Sequence, residues 1–354
     1  MFDIIKLKTA SAGRRGLTSV LIIYTGGTMG MSYDKSDGRL IPFDFTKILD
    51  KLPELYRFEL ELTILSFERS LDSSNIKPDH WITLTKIIAQ NYETYDGFIV
   101  LHGTDTMAYS ASALSFLLDN LDKPVIFTGA QLPIGEVRTD ARENFITALE
   151  IASARKGRRP IVSEVCIYFN NFLLRGNRAK KVQSSHFDAF VSENYPSLAE
   201  AGVTIDYNSA FINKPDTTKR LKFFDKVDTN VCIIKLFPGI SSTYLNAVLA
   251  TLGLKGVVLE TYGSGNAPTD EWFIQALEAA IKRGVIILNV SQCIGGMVDQ
   301  TKYQTSKSLN QIGVLSGGDM TTEAAVTKLM FVLGNYHRNI AKLLTEPIRG
   351  EMSE

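Results

Sequence analysis

Two segments rich in glycine and threonine carry the residue types that hydrolytic chemistry requires. In Thr25–Gly30, with the sequence TGGTMG, adjacent glycines allow a sharp turn, after which Thr28 presents a hydroxyl group. In His102–Met107, with the sequence HGTDTM, the unpaired N–H groups of a helix start can hold negative charge and keep Asp105 ionised. Simpler interpretations stay open for both, namely a turn that packs a helix on a sheet and an ordinary N-cap. A phosphate loop is disfavoured because no GxGxxG or GK[ST] pattern is present.

A hydroxyl nucleophile also needs a base, and Arg175–Lys181 offers candidates. This stretch, RGNRAKK, has four basic residues in seven. A lysine can act as a base only when desolvation or neighbouring cations lower its pKa, and the neighbouring basic residues would supply those cations. On composition alone, a solvated basic loop is the commoner structure for such a stretch.

Two further polar segments are candidates for substrate binding. Leu71–Ser74 precedes a predicted helix, and its serines and backbone amides could hold a carboxylate or simply form a turn. Tyr262–Pro268 is a glycine-rich segment that follows a predicted strand and contains the side-chain amide of Asn266. A plain loop is the alternative interpretation of this segment.

The sequence lacks the motifs that metal-dependent and serine-dependent hydrolysis require. The four histidines show no HExxH or other metal-ligand spacing, and there is no CxxC pair. A GxSxG nucleophile elbow is also missing. Metal-dependent hydrolysis and a Ser-His-Asp site are therefore not predicted.

The elements that must position these residues alternate between strand and helix, which is typical of an α/β fold with parallel strands. The predicted strands, each a short apolar run, are Val20–Tyr24, Gly97–Leu101, Pro124–Thr128, Ile161–Phe169, Val231–Leu236, Gly256–Glu260 and Val285–Val290. The predicted helices, each with apolar residues at helical spacing or a capping signal, include Asp79–Tyr92, Met107–Leu121 and Thr269–Lys282. Ligands of such sheets bind beyond the carboxyl ends of the strands, where the polar segments fall.

Length and composition predict two domains. The chain has 354 residues, and typical domains have roughly 150. The polar segment 205–230 breaks the strand-helix alternation and is interpreted as a linker. We therefore expect a larger N-terminal domain, residues 1–204, with a mainly parallel sheet flanked by helices, and a smaller C-terminal α/β domain, residues 231–354.

Charge and cysteine content limit the partners. The 38 basic residues balance 38 acidic ones, so neither nucleic acid nor a membrane surface is an expected partner. Cys166, Cys232 and Cys293 lie far apart in apolar stretches and are interpreted as buried free thiols of a reducing compartment. Without a signal-peptide pattern or an apolar run long enough to span a membrane, the expected location is cytoplasmic.

The order of the motifs resembles one family. TGGTMG, LHGTDTMAYSASALSF, RGNRAKK, YGSGNAP and SGGDMTTEA follow one another as they do in bacterial-type L-asparaginases, especially the cytoplasmic type I branch. The similarity extends from about Leu21 to the final helix. The resemblance implies hydrolysis of L-asparagine by double displacement without a cofactor, with glutamine as a poor side substrate. It also implies that Thr28 is the nucleophile and that Thr104, Asp105 and Lys181 form the second catalytic group.

The same resemblance assigns substrate contacts. Ser73 and the backbone of Ser74 would hold the α-carboxylate of the substrate, and the neighbouring Asp72 is also expected among the substrate-binding residues. Asp105, helped by Asn266, would hold the α-amino group. In the family, the residue that corresponds to Asn266 reaches the active site from a neighbouring subunit. The expected assembly is therefore a homodimer, often doubled to a dimer of dimers.

Two departures from the family pattern affect the expectations. Many relatives have a lid tyrosine directly before an Ile-Pro pair, where this chain has Leu40. Tyr33 could replace the missing lid tyrosine, but Tyr303 is the preferred candidate because the chain resembles mammalian type I relatives that have a tyrosine there. The alternative is that Tyr303 has only a packing role. Some type I enzymes bind an effector asparagine through an arginine at the position of Glu260, and Cys293 matches a residue near that site. An acid cannot grip a carboxylate as arginine does, so effector control is expected to be lost or altered.

Two alternative functions are compatible with parts of the sequence. An asparaginase-like subunit can release ammonia for tRNA-linked amidation, but such chains carry an extra N-terminal domain, and the first strand here is predicted by residue 20. A nucleotide-binding module would use the glycine turn. Calorimetry with nucleotides and with asparagine would separate this last reading from an amidohydrolase.

Overall fold

The computed structural model describes residues 2–8, 17–33, 40–42, 52–300 and 304–354. The chain divides into two compact units: unit 1 consists of Met1–Ser192 and Pro196–Phe223, and unit 2 of Glu193–Tyr195 and Phe224–Glu354. The division falls inside the segment 205–230 that the sequence predicts as a linker. The first part of that segment belongs to unit 1 because Ile205–Tyr207 pairs with Ala199–Ala201 as a strand.

Unit 1 is built on a mainly parallel sheet. Its strands are β1 Phe2–Lys8, β2 Thr18–Gly26, β3 Met31–Tyr33, β4 Leu40–Pro42, β5 Leu60–Leu71, β6 Gly97–Leu101, β7 Leu118–Asp119, β8 Val125–Thr128, β9 Arg155–Lys156, β10 Arg159–Pro160, β11 Val165–Phe169, β12 Phe172–Arg175, β13 Lys180–Lys181, β14 Phe190–Val191, β15 Ala199–Ala201, β16 Ile205–Tyr207 and β17 Lys222–Phe223. Nine of them form one sheet in the order β1-β5-β2-β6-β8-β11-β12-β15-β16. The central strands β5, β2, β6, β8 and β11 run parallel, and the outer pairs are antiparallel.

Helices cover this sheet, and the apolar patterns explain their positions. They are α1 Pro78–Asn91, α2 Met107–Leu117 and α3 Ala141–Ser153. Strands β6, β8 and β11 are buried at every residue, as continuous apolar runs between helices require. Helix α2 is buried at all positions except Tyr109 and ends earlier than predicted, because Leu118–Asp119 pairs with β17.

The strand β5 has no counterpart among the predicted elements. Its sequence, LELTILSFERSL, is interrupted by Glu61, Glu68 and Arg69, and these three side chains are exposed. Its apolar residues Leu62 and Ile64 are nevertheless buried against the sheet. The strand is thus buried from Leu62 to Leu65 and more exposed toward its end, and its charged residues divide the apolar pattern.

Unit 2 contains a smaller parallel sheet. The four strands, hydrogen-bonded in chain order, are β18 Val231–Lys235, β19 Gly256–Thr261, β20 Ile286–Ser291 and β21 Leu315–Ser316. The helices are α4 Ser242–Leu249, α5 Glu271–Lys282, α6 Gln304–Gln311, α7 Thr322–Asn335 and α8 Ile340–Thr345. The predicted architecture, a larger mainly parallel unit and a smaller C-terminal α/β unit, is confirmed.

The cysteines correct one expectation. All three are free thiols, but only Cys166 is buried; Cys232 is half-buried and Cys293 is exposed. Cys293 follows the end of β20 and therefore lies outside the sheet. In the part of the chain that the structure describes, none of the helices is both long and apolar enough to traverse a bilayer.

Candidate active site

Four neighbouring strands of unit 1 end in polar segments at the same edge of the sheet. In spatial order these strands are β5, β2, β6 and β8, all parallel. The segments that follow them contain Ser73, Thr28, Thr104 and Gln131. Because the carboxyl ends of parallel strands share one edge, residues from distant parts of the sequence are brought to one place.

Glycines allow these segments to approach one another closely. Gly27 has φ +90°, a region that favours glycine, and a Cβ atom on it would lie 2.6 Å from the backbone nitrogen of Gly103. A Cβ atom on Gly103 would in turn lie 2.7 Å from the Cβ and Oγ atoms of Ser73. Since Thr28 and Thr104 directly follow these glycines, the backbone contacts bring both threonines and Ser73 into one region.

The turn that carries Thr28 is held from both sides. Residues Thr28–Gly30 form a single 3₁₀ turn in which Gly30 N–H donates to the Gly27 carbonyl at 3.2 Å. The buried Tyr24 hydroxyl donates to the Gly30 carbonyl at 3.0 Å. The Thr25 hydroxyl donates to the Leu101 carbonyl at 2.9 Å, which ties the end of β2 to the end of β6. Thr28 is half-buried, so its position is fixed while its side chain stays partly accessible.

Lys181 links Thr104 and Asp105. Its Nζ donates to Thr104 Oγ1 at 2.8 Å and to Asp105 Oδ1 at 2.7 Å. The Lys181 side chain is 16% exposed and that of Asp105 is 67% exposed. Three of the residues predicted to act together are therefore in direct contact, although Lys181 is 77 positions from Thr104 in the sequence.

The surroundings of Lys181 differ from the expected cluster of cations. Strand β13, which carries Lys181, pairs with β14 through Lys181 and Phe190. Arg175, one of the four basic residues of the stretch, is instead buried in an ion pair, with its Nε 2.6 Å from Glu164 Oε2. Its charge is thus balanced by Glu164, so it does not serve as an uncompensated neighbour of the lysine.

Gln131 belongs to the site but has no place among the predicted residues. The Thr104 hydroxyl donates to Gln131 Oε1 at 3.2 Å, and Gln131 Nε2 donates to the His186 carbonyl at 2.9 Å. The backbone N–H of Gln131 donates to both carboxylate oxygens of Asp140. The side-chain amide is therefore oriented so that its oxygen faces Thr104. Its position after the predicted strand Pro124–Thr128 is the signal that could have identified it.

The segment after β5 forms a tight polar turn. Ser73 is buried, and its carbonyl accepts a hydrogen bond from the Thr106 hydroxyl at 2.7 Å. Asp72 Oδ1 accepts hydrogen bonds from the backbone N–H and the hydroxyl of Ser74, both at 2.9 Å. Asp72 thus organises the turn, because its carboxylate accepts the hydrogen bond that the Ser74 N–H group donates.

His102 lies behind the threonines and is fully buried. Its Nδ1 is 2.7 Å from the Gly103 carbonyl, and its Nε2 is 2.9 Å from Ser110 Oγ, which also accepts from Trp81 Nε1 at 3.0 Å. A carbonyl can only accept, so Nδ1 carries the proton and Nε2 accepts from the serine. Burial lowers the pKa of His102 from 6.5 to about 4. The ring is therefore a neutral part of the scaffold at neutral pH.

The remaining predicted residues lie outside unit 1. Asn266 ends a turn after β19, where its backbone bridges to Tyr262 within unit 2. Glu260 is buried in the same unit and accepts a hydrogen bond from Thr322 Oγ1, with Lys235 Nζ 3.8 Å away. Tyr303, the preferred lid residue, lies outside the described residues.

The alternative lid residue is in the described part of the chain. Tyr33 ends β3, which pairs with β4 beginning at Leu40. In the described ranges, no group of three or more His, Cys, Asp or Glu side chains is placed to ligate a metal ion.

The fold and this arrangement of residues define an amidohydrolase of the asparaginase class, and the chain belongs to the asparaginase family. Residues 19–213 match the family described as Asparaginase, N-terminal, and residues 230–343 match the Glutaminase/Asparaginase C-terminal domain. The chain is 39% identical to L-asparaginase 1 of Escherichia coli K12 over 343 residues, which cover 95% of this chain and 98% of that protein.

Solved structures agree with this assignment. The crystal structure of L-asparaginase I from Vibrio cholerae is similar with a TM-score of 0.86 at 38% identity, covering 96% of this chain and 100% of that one. The thermostable L-asparaginase from Thermococcus kodakarensis also matches with a TM-score of 0.86, at 33% identity, covering 95% of this chain and 100% of that one.

Proposed function

We propose that this chain hydrolyses L-asparagine to L-aspartate and ammonia, with Thr28 as the nucleophile. The observation that carries the proposal is the pair of hydrogen bonds from Lys181 Nζ to the Thr104 hydroxyl and the Asp105 carboxylate. The contact of Gly27 with Gly103 brings the Thr28 turn next to this group. Membership of the asparaginase family, and the names of the relatives reported above, support the choice of substrate.

The reaction is a double displacement. The hydroxyl oxygen of Thr28 attacks the side-chain amide carbon, its proton passes to the leaving nitrogen, and the carbonyl oxygen transiently becomes an oxyanion. Backbone N–H groups near Thr104 stabilise that charge, and collapse of the intermediate releases ammonia and leaves an ester on Thr28. Water activated by the second group, formed by Thr104 and Lys181 and oriented by Gln131, then attacks the ester. Aspartate leaves, and Thr28 recovers its proton.

Asp105 can contact the enzyme lysine and the substrate together. Its Oδ1 accepts from Lys181, whereas Oδ2 has no partner among the described residues. The α-ammonium group of the substrate binds at Oδ2, where the exposed carboxylate is reached from solvent. The Ser73 hydroxyl holds the α-carboxylate, in a turn that Asp72 organises by accepting hydrogen bonds from the N–H and hydroxyl groups of Ser74. Asn266 completes the site from a second copy of the chain, in a cytoplasmic homodimer that pairs into a dimer of dimers.

Ammonia release from asparagine and glutamine at matched concentration tests the nucleophile. Thr28→Ala is expected to lower kcat by several orders of magnitude, because the substitution removes the hydroxyl that attacks the amide carbon. Thr94→Ala removes the same atoms at an exposed position and serves as the matched control. A folded Thr28→Ala protein that retains wild-type turnover contradicts the assignment.

Lys181→Met tests the second group separately. Turnover is expected to be abolished while asparagine binding stays measurable by calorimetry, since the lysine acts in proton transfer. Lys180→Met is the control because neighbouring residues of a strand point to opposite faces. Undiminished turnover of Lys181→Met removes this lysine from the mechanism. Heat from nucleotides but none from asparagine would favour a nucleotide-binding module instead.

Glu260 leads to a proposal about regulation. Because an acid replaces the effector-binding arginine of some type I enzymes, the rate is expected to depend hyperbolically on asparagine concentration. Marked sigmoidicity that disappears when Glu260 or Lys180 is changed would show that an effector site is retained.

A further inference from the structure

A cavity of about 590 Å³ lies in unit 1 and is lined by none of the active-site candidates. Its lining includes the hairpin of β9 and β10, the residues directly after it, strand β16 and the segment 212–215. This volume is within the range of about 300–1,000 Å³ that is common for small-molecule sites.

The charged residues of this cavity are all cations. Lys156, Arg159 and Lys214 contribute to the lining, and no aspartate or glutamate does. Within the described residues, the side chains of these three cations form no ion pair or hydrogen bond. Of the nearby carboxylates, Glu164 pairs with Arg175 and Asp216 with Lys219, and Glu150 lies near Tyr207. Among the described residues, the positive charge of these three side chains is therefore not balanced by an ion pair.

The rest of the lining combines the polar residues Ser163, Ser209 and Asn213 with a set of apolar and aromatic residues. It includes the rings of Tyr207, Pro160 and Pro215, together with Ile161 and Ile212. The Tyr207 hydroxyl is shielded from water and has no hydrogen-bond partner among the described residues, so this residue offers its ring rather than its polar atom. Burial, with Glu150 nearby, raises the pKa of Tyr207 to about 12, so the phenol adds no negative charge.

The wall is held in place by hydrogen bonds. The buried Ser163 hydroxyl donates to the Asn213 carbonyl at 2.7 Å, and the Asn213 N–H donates to Glu164 Oε1 at 2.6 Å. At the other end of the segment, the Asp216 N–H donates to Asn120 Oδ1 at 3.0 Å. A preformed wall reduces the ordering cost of binding a ligand.

We propose that this cavity binds a small aromatic phosphate monoester, with its phosphate among Lys156, Arg159 and Lys214 and its ring against Tyr207 and the prolines. Three cations suit a doubly charged head group, because charge-assisted hydrogen bonds to phosphate are the strongest available to these side chains. The Tyr207 and proline rings suit an aromatic body, and these apolar groups offer no hydrogen bond to a bare anion.

Titration calorimetry of the full chain with phenyl phosphate tests the proposal. One site per chain is expected, and Arg159→Met or Lys214→Met should weaken binding about tenfold or more, which corresponds to about 1.4 kcal/mol. Arg158→Met is the matched control, since Arg158 lies beside Arg159 in the same hairpin, is exposed and does not line the cavity. Added salt should weaken binding, because these exposed charges are screened. Unchanged melting temperature and ammonia release would establish that each variant is folded.

Three results would overturn the proposal. One is the lack of saturable heat with phenyl phosphate. Another is equal weakening by Arg158→Met and Arg159→Met, which would indicate general electrostatic attraction. The third is equal affinity for inorganic phosphate, which would mean that the apolar wall takes no part.

Discussion

Replacing Gly27 by alanine should displace the Thr28 turn. With φ +90° and ψ 170°, Gly27 lies in a backbone region essentially restricted to glycine, which costs a residue with a Cβ atom about 1–3 kcal/mol. The new Cβ atom would also lie 2.6 Å from Gly103 N, whereas ordinary contact begins at 3.4 Å, so one backbone segment must move by about 0.8 Å. Because backbone cannot rotate away as a side chain can, crowding adds about 1–3 kcal/mol. A displacement near 1 Å at a reacting group lowers the rate about 100-fold.

Steady-state ammonia release measures this effect, and two glycines of the same unit separate its causes. Gly157 has φ +67° and nothing within 4 Å of a Cβ position, so Gly157→Ala carries backbone strain without crowding. Gly135→Ala carries neither, because nothing lies within 4 Å and its φ is not positive. Both controls should retain wild-type kcat/KM, with Gly157→Ala slightly less stable on heating. Wild-type kcat/KM for Gly27→Ala would refute the argument that this glycine contact positions the nucleophile.

Three further predictions concern stability, measured by urea denaturation. Burial lowers the pKa of His102 from 6.5 to about 4, so the unfolded chain binds the extra proton between these values. The resulting contribution to the free energy of unfolding, about 3 kcal/mol, is fully present above pH 6.5 and is lost as the pH falls to 4. His102→Gln should therefore make the free energy of unfolding less dependent on pH in this range. An unchanged pH dependence would contradict the prediction. Glu351→Gln should lower the free energy of unfolding by about 3–5 kcal/mol, because Lys328, fully buried and 2.5 Å from Glu351, loses its ion-pair partner. Adding Lys328→Met should restore stability, because the unpaired buried charge is then removed. An unchanged stability of the single Glu351→Gln variant would contradict this prediction. Tyr207→Phe should raise the free energy of unfolding by about 1 kcal/mol, because a buried hydroxyl without a hydrogen-bond partner among the described residues is removed. A lower stability would contradict this and indicate that the hydroxyl forms a hydrogen bond.

The sequence was sufficient to predict the strands that support the threonines. Val20–Tyr24 and Gly97–Leu101 are continuous apolar runs followed by glycine and threonine, and both are observed as buried parallel strands. Such runs are easy to recognise because a strand that is covered on both faces has apolar residues at every position instead of alternating apolar and polar ones. Strand Leu60–Leu71 was missed for the opposite reason, since exposed Glu61 and Glu68 divide its pattern.

Contacts between distant segments could not be read in the same way. Lys181 was selected by resemblance, but its hydrogen bonds to residues 76 and 77 positions away depend on the order of strands and on the β13–β14 pair. Gln131 was overlooked although it follows a strand that was predicted, because a lone glutamine in a loop has no distinctive pattern. Arg175 was assigned to the electrostatics of the lysine, whereas its partner Glu164 becomes apparent only when β11 and β12 are paired.

The unequal exposure of Lys181 and Asp105 gives the candidate site a direction. The ammonium group is largely enclosed and uses one carboxylate oxygen, whereas the carboxylate itself is two-thirds exposed. A zwitterionic substrate that arrives from solvent therefore meets Asp105 first, with its own ammonium group. Lys181, which is largely enclosed, donates to the Thr104 hydroxyl as well as to Asp105. In the proposed mechanism, one end of this ion pair binds the α-amino group and the other takes part in proton transfer. Asp105→Ala is therefore expected to impair both asparagine binding, measured by calorimetry, and turnover, whereas Lys181→Met is expected to impair turnover alone.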